Sequence, residues 1–119
     1  MVNESILTSV KKMLGITEQY THFDDDIIMH INSVLFTLFQ LGVGEEPFTI
    51  EDETAEWYDF CSDIHKLEVI RPYVYLKVRM AFDPPTATAA MEAAKNLISE
   101  YEFRINVAVD PKKGWHEVL

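Results

Sequence analysis

The chain has 119 residues and a mass of 13.8 kDa, which is the length of one domain. Twenty Asp and Glu residues against ten Lys and Arg residues give a formal net charge of -10, which argues against tight binding to DNA or anionic membranes. No stretch approaches the roughly 20 apolar residues of a membrane-spanning helix, and the N-terminus has no secretion-signal pattern. A single cysteine, Cys61, excludes an internal disulfide. We therefore expect a soluble, cytoplasmic protein.

Glycines and prolines divide the chain into helix-length segments, which predicts an all-α fold of four main helices plus a short helical turn. The first helix is predicted from about Asn3, a capping residue, to Leu14, with Gly15 just past its end. The second is predicted to open at the acidic cluster 24–26 and to stop before Gly42, since carboxylates stabilise the positive end of a helix.

The second predicted helix has a broader apolar arc than a surface helix needs. Its polar stripe contains only His30, Ser33, Thr37 and Gln40. Such a helix either runs through the middle of its domain or contacts another subunit.

The later elements follow the same logic. Thr54 is predicted to cap a short turn that carries Trp57 and Phe60, followed by a loop over 61–66. The third long helix is predicted over residues 67–82, with Pro72 in its first turn; if the helix begins earlier, Pro72 must kink it.

The dipeptide Pro84-Pro85 is predicted to end the third long helix. Thr86 or Thr88 then caps a fourth helix that reaches roughly Ile105.

The pattern changes after residue 106. Val107 and Val109 alternate with more polar residues, which predicts an extended segment. We therefore expect a helical domain over 1–106 and an extended or disordered tail over 107–119. A lone strand leaves its backbone groups unpaired, so an ordered tail would lie against another surface, with Trp115 as its anchor.

No catalytic, cofactor-binding or metal-binding site emerges. Asp24–Asp26, between His22 and His30, match neither a calcium loop nor a zinc motif, and helix capping accounts for them. Cys61, with Asp63 and His65 nearby, lacks any sign of an activated thiol. We therefore expect no enzyme and no cofactor.

Arg71 and Arg79 are the candidate charged interface residues. Both fall on the third long helix, and the acidic surplus favours ion pairs over phosphate contacts. The partner carboxylates belong either to this chain or to a neighbouring copy.

Several ordered segments together resemble the small head-tail connector proteins of tailed bacteriophages, also called DNA-packaging or head-completion adaptors. They are His30–Ser33, Gln40–Gly44, Trp57–Phe60, Tyr73–Arg79, Phe82–Pro85 and Glu102–Asn106. The likeness spans the chain to about Asp110. Phe103 stands where the family pattern suggests tryptophan, and this change is expected to leave the packing intact.

The resemblance implies a non-enzymatic virion protein at the head-tail junction, assembled in the cytoplasm of the bacterial host. It implies a homo-oligomeric ring beneath the portal that extends the DNA channel and meets the next tail-proximal protein. DNA would pass through this channel without specific binding. On this interpretation, residues 107–115 reach onto the portal or onto an adjacent subunit. The alternatives are an acidic helical module that binds one protein partner and, more remotely, an enzyme or metal protein.

Overall fold

The computed structural model describes residues 4–109 and confirms the all-α prediction. It contains α1 (Ile6–Met13), α2 (Asp24–Gln40), α3 (Trp57–Phe60), α4 (Ile64–Phe82) and α5 (Thr88–Ala108). Over these residues there is no strand, and a single antiparallel bridge joins Ser5 to Glu56.

Helix α4 lies at the centre of the fold. It packs against α1, α2 and α5, whereas α2 and α5 have little contact with each other. The core is formed by the inward sides of these helices, with Trp57 and Tyr73 as its largest fully buried side chains. The indole N–H of Trp57 donates to the hydroxyl of Ser9 at 2.9 Å, so the buried ring has a partner for its polar atom.

The long loop between α2 and α3 is fixed to α2 by one side chain. The amide of Asn32 donates to the carbonyl of Ile50 at 3.0 Å and accepts from the Ile50 N–H at 2.8 Å. Both backbone groups of Ile50 are therefore satisfied, as a strand partner would satisfy them, and the loop can bury this side chain.

The helix starts differ in detail from the predictions. Residue 3 lies outside the described residues, and Ser5 caps α1 by accepting from the Thr8 N–H. Helix α2 begins at Asp24 as predicted, but its N-cap is Phe23 and the aspartates occupy the first turn. Helix α3 opens with a capping box between Glu56 and Asp59 instead of a Thr54 cap, because Asp59 can reach back to the Glu56 N–H.

The predicted start of the third long helix is wrong. Helix α4 begins at Ile64, where the Asp63 carboxylate accepts from the His65 N–H at 3.0 Å, so Pro72 lies in the helix interior. Proline cannot donate to the carbonyl of Glu68, one turn earlier. Glu68 is exposed, so water can supply the missing donor, which makes the proline tolerable at this position.

The predicted extended segment at residues 107–109 is also wrong. Helix α5 continues through Val107 to Ala108, and Val109 is its C-cap with helical backbone angles. Ile105 and Ala108 are buried and Val109 packs against the core, a spacing of three and four residues that suits a helix. The predicted domain boundary after residue 106 therefore falls inside α5.

Tyr73 joins α4 to α5. Its hydroxyl donates to a Glu102 carboxylate oxygen at 2.8 Å, and Lys77 lies 3.8 Å from the same oxygen. Burial and, next, the hydrogen bond to Glu102 raise the pKa of the Tyr73 phenol well above its ordinary value. The neutral phenol is therefore part of the folded packing.

Candidate assembly surfaces

An open apolar groove lies between α1, α4 and α5. Its volume is about 230 Å³, and we call it the α4/α5 groove. The four α4 residues that line it follow one another at helical spacing, so they form a stripe along one side of that helix. The lining residues are Met13, Pro72, Tyr75, Leu76, Arg79, Leu97 and Tyr101.

One wall of this groove is a helix that the domain covers poorly. Between Thr88 and Arg104, α5 contributes no fully buried side chain, and its buried residues are Ile105 and Ala108 near the end. Leu97 is 39% exposed, and Met13 on the opposite wall is 57% exposed. Exposed apolar residues that border one groove are typical of a surface that another protein covers.

A second apolar surface lies on the side of α2 that faces away from the core. Met29 and Phe36 are 59% and 49% exposed and lie seven residues apart on one side of the helix. Asp25, Asp26 and Ser33 are exposed on the same side. These five residues form what we call the outer face of α2.

The breadth of the apolar arc on α2 is explained by this arrangement. Ile27, Ile31 and Leu35 are fully buried among the core residues of α2, while Met29 and Phe36 point outward. The helix therefore lines the core, which is one of the two alternatives that the sequence left open, and it also leaves apolar side chains uncovered. Its contact with another subunit, the other alternative, stays a prediction.

The acidic first turn of α2 is only partly neutralised by the chain. The ammonium of Lys11, a residue 2% exposed, lies 2.8 Å from an Asp24 oxygen and also donates to the Glu18 carbonyl. This pairing compensates the buried cation. Over residues 4–109, Asp25 and Asp26 form no ion pair, so their charge is presented at the surface.

Phe103 is the most exposed of the large apolar side chains in residues 4–109, at 67%. The expectation that phenylalanine in place of tryptophan leaves the packing intact therefore concerns a side chain that the domain covers little. It lies in the last third of α5, facing outward while Ile105 faces the core. A large exposed aromatic in this family position is better suited to a contact outside the domain than to internal packing.

The two predicted interface arginines have different surroundings. Arg71 lies 2.9 Å from Glu4, donates to the Tyr75 hydroxyl and stacks near the Trp57 ring at 5.7 Å. This chain therefore supplies its carboxylate, which is one of the two sources that the sequence left open. A contact of Arg71 across a subunit boundary stays a prediction.

Arg79 is exposed and lines the α4/α5 groove. Within residues 4–109 its side chain forms no ion pair. Arg79 therefore remains available for a carboxylate on another molecule.

The valines predicted as tail contacts are partly used by the domain itself. Val109 packs against the core, close to Gly42, where an added Cβ would lie 2.8 Å from a Val109 methyl group. Val107 is half-buried in the last turns of α5. Trp115 lies outside the described residues.

Local sequence patterns did not predict the partners that hold Arg71 and the loop between α2 and α3 in place. Glu4 and Tyr75 form the surroundings of Arg71, and Asn32 holds Ile50. The spacing of Arg71 and Tyr75, one helical turn apart, was a local signal for their pairing. Glu4 and Ile50 are distant in sequence from their partners, and no local pattern marks them.

Chemistry-bearing side chains do not converge in the described part of the chain. No group of three or more His, Cys, Asp or Glu residues there could hold a metal ion. Cys61 is half-buried and free, and its sulfur contacts the Asp63 carbonyl instead of an imidazole. Among the described residues, the candidate functional features are therefore the uncovered apolar and charged surfaces.

Among residues 4–109, no helix is both long and apolar enough to cross a membrane. Comparison with curated proteins and with solved structures gave no match. A family model described as phage connector protein matches residues 6–112, which is most of the chain and includes all five helices. The chain therefore belongs to the phage connector protein family and is a structural component of the virion.

Proposed function

We propose that this protein assembles as a closed ring at the portal vertex, where it connects head to tail and extends the DNA channel after packaging. Membership of the connector family supports the location. The observation that carries the ring is the presence of two separate uncovered apolar surfaces, the α4/α5 groove and the outer face of α2.

Two different surfaces are what a ring requires. In a closed ring, each subunit meets one neighbour with one surface and the other neighbour with another, and the rotation between neighbours closes the assembly. A protein that formed only a two-fold dimer would need one self-complementary surface. Met29 on α2 and Leu97 on α5 lie on elements that have little contact, which suits the ring arrangement.

The acidic surplus supports a passage role for the channel. With a net charge of -10, a ring of such subunits repels the DNA phosphates wherever carboxylates line the bore. Like charge lets DNA slide, whereas a basic bore would hold it. A ring structure with a neutral or basic bore would contradict this part of the proposal.

The residues after α5 are proposed to reach the portal. Because α5 continues to Ala108, the portal-binding segment is shortened from the predicted 107–115 to residues 110–115, with Trp115 as its anchor. Deleting residues 110–119 should abolish portal binding and leave the helical circular-dichroism signal unchanged. Trp115→Ala should reduce the binding without removing it, since large aromatics dominate interface energies.

Negative-stain electron microscopy of purified portal, with and without the full chain, tests the proposed function. We expect an added ring of density on the tail-facing end of the portal. A chain that never binds portal and never self-associates, but binds one other protein as a monomer, would overturn the proposal in favour of a regulatory adaptor.

A further inference from the structure

We infer that neighbouring subunits of the ring are joined by insertion of the outer face of α2 of one copy into the α4/α5 groove of the next. This inference rests on the proposed ring. It goes further by naming the two surfaces that meet and the side chains that pair.

The two surfaces match in apolar character. The groove is lined by Met13 and Leu97, which are both exposed, and by the half-buried Leu76. The outer face of α2 offers Met29 and Phe36 along one line of the helix. Insertion of an apolar helix face into a groove between helices is a common mode of recognition.

The charges of the two surfaces also match. Arg79 contributes a positive charge to an otherwise apolar groove, while Asp25 and Asp26 lie at the N-terminal end of the outer face. None of the three forms an ion pair within residues 4–109. Opposite charges beside complementary apolar surfaces favour this pairing over a contact between two grooves. A contact between two grooves would bring the Arg79 side chains of two subunits together, and these like charges repel.

The positions of the surfaces exclude closure within one subunit. Helix α4 separates α2 from α5, and Met29 and Phe36 lie on the side of α2 opposite its buried residues. A copy cannot place its own α2 in its own groove without unfolding its core. The contact must therefore be made between copies, head to tail.

Disulfide trapping tests the inference directly in a Cys61→Ser background. Phe36→Cys on one preparation and Leu97→Cys on another should form a covalent heterodimer when mixed and oxidised. In the matched control, Glu53→Cys at an exposed loop position replaces Phe36→Cys and is mixed with Leu97→Cys. This pair should form little covalent heterodimer. A single chain that carries both Phe36→Cys and Leu97→Cys should give a ladder of covalent oligomers, because each copy then links to two neighbours.

Charge reversal provides a second, independent measurement. Arg79→Glu should weaken self-association, measured by sedimentation velocity, by at least about fivefold, and so should the pair Asp25→Lys with Asp26→Lys. Combining all three changes in one chain should restore much of the association. Lys95→Glu is the matched control, since it makes the same charge change on the side of α5 away from Leu97, and should have little effect.

The outcomes separate this inference from the proposed function. One outcome is that rings form on portal while Leu97→Cys crosslinks to Glu53→Cys as efficiently as to Phe36→Cys, or while the charge reversals fail to compensate. In either case the inference is wrong and the proposed ring stands. If the unmodified chain forms no oligomer and no portal complex, the proposed function itself fails. Trapping of Phe36→Cys with Leu97→Cys together with charge compensation supports both.

Discussion

The surroundings of Trp57 and the first half of α5 differ in how well the chain covers them. Trp57 is fully buried, hydrogen-bonded to Ser9 and flanked by Arg71, so its position is determined from several sides. Residues 88–100 of α5 contribute no fully buried side chain. The surroundings of Trp57 therefore belong to the stable core of the fold, whereas the first half of α5 leaves apolar surface uncovered.

The largest effect is expected at Trp57. Trp57→Ala should lower the free energy of unfolding by about 3–5 kcal/mol, because it leaves a cavity and removes the indole N–H that donates to the Ser9 hydroxyl. Denaturant unfolding measures the change. Trp57→Phe keeps much of the ring volume and should cost roughly half as much, which keeps the test informative if the alanine variant does not fold.

Tyr58, the next residue, is 38% exposed and provides the control. Tyr58→Ala should cost less than about 1.5 kcal/mol. Equal losses at the two neighbouring aromatics would show that Trp57 is not the centre of the stable region.

A smaller effect is expected where α5 is anchored to the rest of the domain. Gly42 has a φ of +103°, and an added Cβ would lie 2.8 Å from a Val109 methyl group. Gly42→Ala should therefore cost about 2–3 kcal/mol, from backbone strain and from the displaced contact. Thermal or denaturant unfolding measures the loss.

Gly15 separates the two causes. Its φ is +79°, but no atom lies within 4 Å of the added Cβ, so Gly15→Ala should cost only the backbone strain, about 1 kcal/mol. Adding Val109→Ala to Gly42→Ala should recover part of the loss. If the two glycine variants behave alike, Val109 does not hold α5 against the domain.

The helices themselves were largely predictable from local patterns. Apolar spacing and the acidic cluster located α2 to within a few residues, and Pro84-Pro85 separated α4 from α5 as expected. The errors arose where tertiary packing outweighed a local signal. Pro72 lies inside α4, where buried residues on both sides of it, from Leu67 to Val74, pack in the core although proline favours the first turn of a helix.

The candidate surfaces were less predictable. Alternation at Val107 and Val109 suggested an extended segment, but the core contact of Ile105 and Ala108 keeps this stretch helical. The broad apolar arc on α2 left burial in the domain and contact with another subunit open, and the helix has both buried and exposed apolar residues. Its residues could not be assigned to core or surface, because that depends on which side α4 covers.

A still smaller effect, and a pH dependence, are expected at Tyr73, which joins the stable region to α5. Tyr73→Phe should cost about 1 kcal/mol, since it removes one hydrogen bond to the half-buried Glu102. The folded-state pKa of Tyr73 lies above the unfolded value of 10.0. The contribution of the neutral phenol is therefore fully present below pH 10.0 and is lost as the pH rises beyond it.

Unfolding measured from neutral pH to above 10.0 tests this sign. The unmodified chain should lose stability more steeply at high pH than Tyr73→Phe. If Tyr73→Phe loses stability with rising pH as steeply as the unmodified chain, the pH dependence belongs to other groups.

The smallest effect on folding, and the largest on assembly, is expected at Leu97. Leu97→Ala should change the free energy of unfolding by less than about 1 kcal/mol, because the side chain is partly exposed, whereas Ile105→Ala on the same helix should cost about 2–5 kcal/mol.

Hydrogen exchange of the free chain should show faster exchange over residues 88–100 than over 101–108. Assembly should slow exchange in the first segment, and Leu97→Ala should remove much of that protection. Equal exchange along α5, unchanged by assembly, would mean that its first half is stabilised by the domain alone and that the uncovered surface has no partner.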